Sequence, residues 1–167
     1  MTRLFLLLIV ISIFMGFTKD TIKDRNIDMV IEYAQSYKYD LTSEVCTVFY
    51  IDKSPTEIKF HLSGKEKNKI IDEYYNLEIN KISGLDKIIG NTYIEDECMI
   101  MPKLYTILHV KIKNKLQNIQ IDEDCDDFFL SNFGKANKIK KFLRFVDNIL
   151  KSKPEIKNAP RSNILYM

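Results

Sequence analysis

The sequence predicts a single α+β domain: an antiparallel sheet of about four to five strands with two main helices, near residues 64–76 and 135–151, packed on it. Three observations predict it. Short segments of alternating apolar and polar residues recur along the chain, as half-buried strands require. Two longer segments repeat apolar residues at offsets of three and four, as helices lying on a core require. No Ser/Gly linker, fold-scale repeat or compositional break divides the 167 residues, and 46% hydrophobic with 29% charged residues suits one core.

Residues 1–18 have the grammar of a signal peptide. Arg3 precedes the apolar run Leu4–Phe17, broken only by Ser12 and Gly16, and polar Thr18, Lys19 and Asp20 follow. That run makes about 21 Å of helix, short of the roughly 30 Å hydrocarbon core of a bilayer. Cleavage after Thr18 is expected, leaving a secreted or periplasmic chain with no transmembrane span. The first cysteine is Cys46, so a lipid anchor at the new N-terminus is not expected. Residues 19–26 read as a polar lead-in and 27–167 as the domain.

Ile27–Ala34 fits both periods, and its β-branched residues favour a strand. Val45–Ile51 places Val45, Thr47, Phe49 and Ile51 on one face. After a turn at Asp52–Thr56 that contains Ser54-Pro55, Ile58, Phe60 and Leu62 do the same, so the two segments predict a hairpin. Ser63 and Glu66 have capping-box spacing, and Ile70, Ile71, Tyr74 and Tyr75 follow at helical offsets. Between Leu77 and Met101 only Ser83-Gly84 and Gly90-Asn91 mark turns. Beyond Pro102, Leu104, Thr106, Leu108, Val110 and Ile112 alternate with polar residues; Asn114-Lys115 turns the chain, and Gln117–Asp122 returns with Ile119 and Ile121 inward. Ala136, Ile139, Phe142, Leu143, Val146, Ile149 and Leu150 form the stripe of the last helix, which must stop before Pro154. The tail ends Ile164-Leu165-Tyr166-Met167, apolar enough to dock on the body.

An exported chain meets an oxidising compartment, and it carries three cysteines. Cys46 lies within a strand and reads as a small buried hydrophobe. Cys98 and Cys125 follow acidic segments, and a disulfide between them is expected; closing about 28 residues stabilises by roughly 3 to 4 kcal/mol on the chain-entropy estimate. Those segments echo each other as Ile94-Glu-Asp-Glu-Cys98 and Ile121-Asp-Glu-Asp-Cys125. The alternation Asp122, Asp124, Asp126 resembles the opening of a calcium loop. An EF-hand is excluded, because Asp127 stands where glycine is needed and Phe133 where the bidentate glutamate belongs. Calcium at these acids, at a weak extracellular affinity of roughly 10⁻⁴ to 10⁻³ M, is set against the simpler reading that they face water or cap the next segment.

Several chemistries have local signatures, and the chain contains no phosphate-binding glycine loop, G-x-S-x-G elbow, H-E-x-x-H or C-x-x-C. His61 and His109 fall on the polar sides of their strands. They would form a base or metal pair only if those strands bring them together; two solvated histidines on separate strands is the simpler reading. Acidic neighbours raise the thiol pKa of Cys98 and Cys125, against cysteine catalysis. Lys135, Lys138, Lys140, Lys141 and Arg144 make the last helix basic, but a net charge of +2 with interleaved acids disfavours nucleic acid. That helix face reads first as a solvated surface and second as a contact for an anionic membrane or a partner. Among the nine tyrosines, Tyr37 and Tyr39 are the candidate binding residues, because core packing accounts for the others singled out. The expected function is a small, non-catalytic binding or accessory protein of the cell envelope, whose partner is a protein or an envelope component. The alternative is a small hydrolase or metal-dependent enzyme using His61 or His109 with carboxylates.

Overall fold

Alternation along every long strand sorts side chains onto two faces of one twisted sheet, and only one face carries the core. The computed structural model describes residues 25–82, 86–87, 105–122 and 133–164. Residues 1–18, read above as a signal peptide, and Cys98, Cys125, Asp124 and Asp126 lie outside the described residues.

The strands are β1 (Ile27–Tyr33), β2 (Tyr37–Asp40), β3 (Val45–Val48), β4 (Thr56–Lys59), β5 (Asp86–Lys87), β6 (Tyr105–Ile112) and β7 (Lys115–Asp122). Their spatial order is β4-β3-β2-β1-β6-β7-β5. The first six pair antiparallel throughout, and the two-residue β5 adds a parallel edge to β7. The helices are α1 (Gly64–Asn76), α2 (Phe133–Lys151) and the single turn α3 (Pro154–Lys157), with a 3₁₀ turn at Ile79–Lys81. This is the expected α+β class with more strands than the four to five expected. The short β2 is one addition, joined to β1 by a turn in which Ala34 and Gln35 both take positive φ, 42° and 59°. Backbone bonds from Ser36 to Tyr33 and from Ala34 to Tyr105 hold that turn.

Register fixes the covered face. Met29 and Ile31 of β1 stand opposite Val110 and Leu108 of β6, and Leu108 in turn stands opposite Ile119 of β7. All five are buried. On the other side, Ile31 and Tyr33 stand opposite Tyr39 and Tyr37, which stand opposite Cys46 and Val48. One expectation is thereby corrected. Cys46 and Val48 are the buried residues of β3, whereas Val45 and Thr47 are only half-buried and Ile51, in the following loop, is 70% exposed. Both faces of this segment are apolar, so the pairing to the tyrosines of β2, not the local pattern, decides which turns inward.

Ser63 and Glu66 form the expected capping box: the Ser63 hydroxyl accepts from the Glu66 N–H, and the Glu66 carboxylate accepts from the Ser63 N–H. The helix runs over the expected residues and buries Ile70 and Tyr74. Tyr74 meets Phe142 of α2 edge to face at 6.0 Å. Its hydroxyl donates to Gln117 Oε1 at 2.6 Å, and Gln117 Nε2 donates to the carbonyls of Ile79 and Ile82. This polar knot joins α1, the 3₁₀ turn and β7 inside the core. No helix among the described residues is long and apolar enough to cross a membrane.

Candidate functional site

Two adjacent strands with the same phase bring three tyrosines together at one end of the covered face. Tyr33 and Tyr37 are directly paired across β1 and β2, and Tyr39 follows Tyr37 at the two-residue strand period. The Tyr37 and Tyr39 rings lie nearly parallel, 6.3 Å apart at 15°, and Tyr33 meets Tyr39 edge on at 5.8 Å. Together they form a continuous aromatic wall.

The facing wall comes from α2. Ile139, Phe142, Val146 and Leu150 form its buried stripe. A second stripe, Lys140, Leu143, Arg144, Asp147 and Lys151, repeats at offsets of three and four and lines a cavity against the tyrosines. Pro154 at the first turn of α3 redirects the chain, so that Ile156, Lys157, Pro160 and Arg161 close the third side. The cleft between these walls, open to solvent, has a volume of about 940 Å³.

Each wall is held from behind. The Tyr37 hydroxyl accepts from the Ser162 N–H at 3.0 Å, while the Ser162 hydroxyl donates to the Phe49 carbonyl at 2.6 Å. Asn163 accepts from the Ile51 N–H and donates to Asp52. The tail therefore docks, as expected, but the described bonds are polar ones at Ser162 and Asn163; residues 165–167 lie outside the described residues. Tyr39 stands opposite Cys46 across β2 and β3, and the Cys46 thiol is pushed up to about 11 by burial and stays a neutral, inert packing group.

The rim is cationic. Asp147 is bound to Lys151 at 2.7 Å. Arg144, Lys157 and Arg161 are exposed and have no ion-pair partner among the described residues. Positive charge thus gathers on the α2 and α3 sides of an aromatic cavity in a chain whose total charge is only +2.

The two tyrosines singled out from the sequence, Tyr37 and Tyr39, both belong to this cavity. The histidines do not, and they are not neighbours. His61 Nδ1 lies 3.0 Å from Glu44, whose carboxyl is held low first by its hydrogen bond to Lys67 and then by His61. His109 Nδ1 lies 2.8 Å from Asn118 Oδ1, and its Nε2 is 3.9 Å from Glu32. His61 follows β4 and His109 is in β6, with three strands between them, about 19 Å at the usual strand spacing. Asp122 closes β7, but Asp124 and Asp126 and the Cys98–Cys125 pairing fall outside the described residues. Among the described residues no three His, Cys, Asp or Glu side chains gather as a metal site.

Sequence reasoning missed Lys157 and Arg161, which lie in the tail, whereas Arg144 belonged to the basic helix face read first as a solvated surface and second as a contact for an anionic membrane or a partner. The available signal was the pair Pro154 and Pro160, which bends the tail back toward the sheet. No protein-family model, curated protein or solved structure matches this chain. The site is therefore read from its own geometry.

Proposed function

We propose that this is an exported, non-catalytic binding protein of the cell envelope that takes a small ligand, or a small part of a larger one, between the tyrosine wall and the cationic face of α2. The observation that carries this reading is the cavity itself. Its volume is at the upper end of the 300–1,000 Å³ usual for ligand sites, and it combines an apolar wall with a few convergent polar groups. Binding rather than turnover is supported by what the walls offer. Tyrosine rings and fixed cations hold a ligand, while both histidines stand elsewhere on the sheet. Export is supported by the signal-peptide pattern of residues 1–18.

The absence of tryptophan makes tyrosine the natural reporter. With ¹³C-labelled tyrosine rings, titration against a diverse set of small polar and aromatic compounds should give saturable shifts at Tyr33, Tyr37 and Tyr39 and none at Tyr74. A set in which no compound moves the three cavity tyrosines overturns the reading.

A further inference from the structure

We infer that the ligand is an acidic saccharide: a sugar ring, or a short run of them, that carries a carboxylate. The inference rests on the binding role proposed above and names the chemistry of that site. Three features of the cavity each restrict what fits.

The first is charge. Arg144 on the α2 wall and Lys157 and Arg161 on the adjoining side line the cavity without ion-pair partners among the described residues, and two of the three are guanidinium groups. Guanidinium presents a planar fork of donors that matches a carboxylate in two parallel hydrogen bonds. A neutral ligand would leave that fork unused.

The second is the wall. Tyr37 and Tyr39 hold their rings nearly parallel along the strand, the Tyr37 hydroxyl tied to Ser162 and the Tyr39 ring held between Tyr33 and Tyr37. Fixed aromatic faces bury the apolar face of a flat or chair-shaped ring without losing side-chain freedom. A small inorganic anion would satisfy the rim but not cover this wall.

The third is Asp147, the acid among the described lining residues. One of its oxygens is held by Lys151, and the residue lines the cavity on the same helix as Arg144. An aryl carboxylate brings acceptors alone, so it would meet Asp147 with nothing to donate. A polyhydroxylated acid brings both halves: its carboxylate accepts from arginine, and its hydroxyls donate to Asp147. Ligands with one half only satisfy part of the lining.

The test titrates the protein at low salt with four probes. These are an oligomer of two or three uronic acid residues, the neutral hexose oligomer of equal length, an aryl carboxylate and inorganic phosphate. Binding is read by calorimetry and by the tyrosine-ring shifts. The expected result is saturable binding of the uronic acid oligomer at least tenfold tighter than any other probe. It should weaken about tenfold or more in Arg144→Gln and Arg161→Gln, whose exposed positions leave the melting temperature unchanged. Raised salt should weaken it as well. Equal or tighter binding of the neutral oligomer, the aryl carboxylate or phosphate at the cavity tyrosines overturns the saccharide inference and leaves the binding role standing. If no probe binds but another compound of the wider set moves those tyrosines, the inference again falls alone. If nothing moves them, both fall.

Discussion

The two flanks of α2 show what fills a space and what leaves it open. On the α1 flank, Phe142 packs on Tyr74, Tyr74 bonds to Gln117, and Gln117 closes the carbonyls of the 3₁₀ turn. Lys138 adds an ion pair to Glu78 at 2.8 Å. On the other flank the same helix presents Lys140, Arg144, Asp147 and Lys151, and the described chain opposite them is one helical turn and a tail. A full helix brings enough apolar side chains to close-pack against its neighbour, whereas a tail tied by a few polar bonds at its end holds a wall in place without filling the gap. The contrast separates stability from binding along one element.

The largest effect should come from the packed flank. Phe142→Ala removes a fully buried ring and should cost about 3 to 5 kcal/mol, read by urea unfolding. Leu143→Ala sits beside it in sequence but borders the cavity, so fewer atoms lose contact. Its cost should fall at or below the lower end of the usual range, about 2 kcal/mol. Equal costs at the two positions would mean that the cavity flank is packed as tightly as the other.

Gln117→Leu tests the polar knot. The substitution keeps volume but leaves the Tyr74 hydroxyl and the Ile82 carbonyl without their Gln117 bonds, while the Ile79 carbonyl keeps the Ile82 N–H, at about 3 kcal/mol. Pairing it with Tyr74→Phe in a double-mutant cycle should recover part of the loss, since one orphaned group is then gone. Strict additivity would show that the groups act separately.

These costs also explain which parts of the molecule could be read in advance. The capping box, the α1 boundaries and the inward residues of β6 and β7 depend on neighbours close in sequence, so the local pattern was sufficient for them. The facing of β3 was not legible, because Val45, Cys46, Val48 and Phe49 are apolar on both sides and only the partner strand decides. Tyr37-Lys-Tyr-Asp40 does alternate, but four residues are too few to mark a strand by pattern alone. The cavity was half legible: tyrosines without a core role stood out, whereas its cations come from two separate segments that meet only after α3 turns the chain.

Removing residues 154–167 should break the comparison by opening the weaker flank. The deletion takes away Ile156, the Ser162 bond to Tyr37 and the Asn163 bonds to the loop after β3. The melting temperature should fall by several degrees, at about 2 to 4 °C for each kcal/mol, while the Tyr74–Gln117 knot stays intact. Amide exchange would show the order: protection should drop in β2 and β3 and persist in β6 and β7. Uniform loss across the sheet would mean that the two flanks unfold as one unit and that the distinction is only one of shape.

The smallest effect is a matter of pH and concerns an ion pair that ties α1 to the junction of α2 and α3. Glu66 closes the capping box of α1 and receives both hydrogen bonds from Lys153, at 2.7 Å, where α2 gives way to α3. Its carboxyl is pulled down to about 2, chiefly by Lys153 and then by Ser63. Glu78, beyond the other end of α1, is held to about 2 as well, by Lys138 first and Lys81 second. A carboxyl that ionises more readily when folded stabilises the fold fully above its ordinary pKa near 4.3, and the contribution fades as pH falls toward 2. Glu66→Gln keeps an acceptor for the Ser63 N–H but loses the charge that Lys153 grips. At neutral pH the variant should melt slightly lower than the parent, because a partly exposed pair contributes below about 1 kcal/mol. That gap should narrow as pH is lowered from about 5 to about 2, since the parent loses the same charge by protonation. A gap that stays constant or widens in acid would show that Glu66 acts through packing and that Lys153 does not couple α1 to the tail.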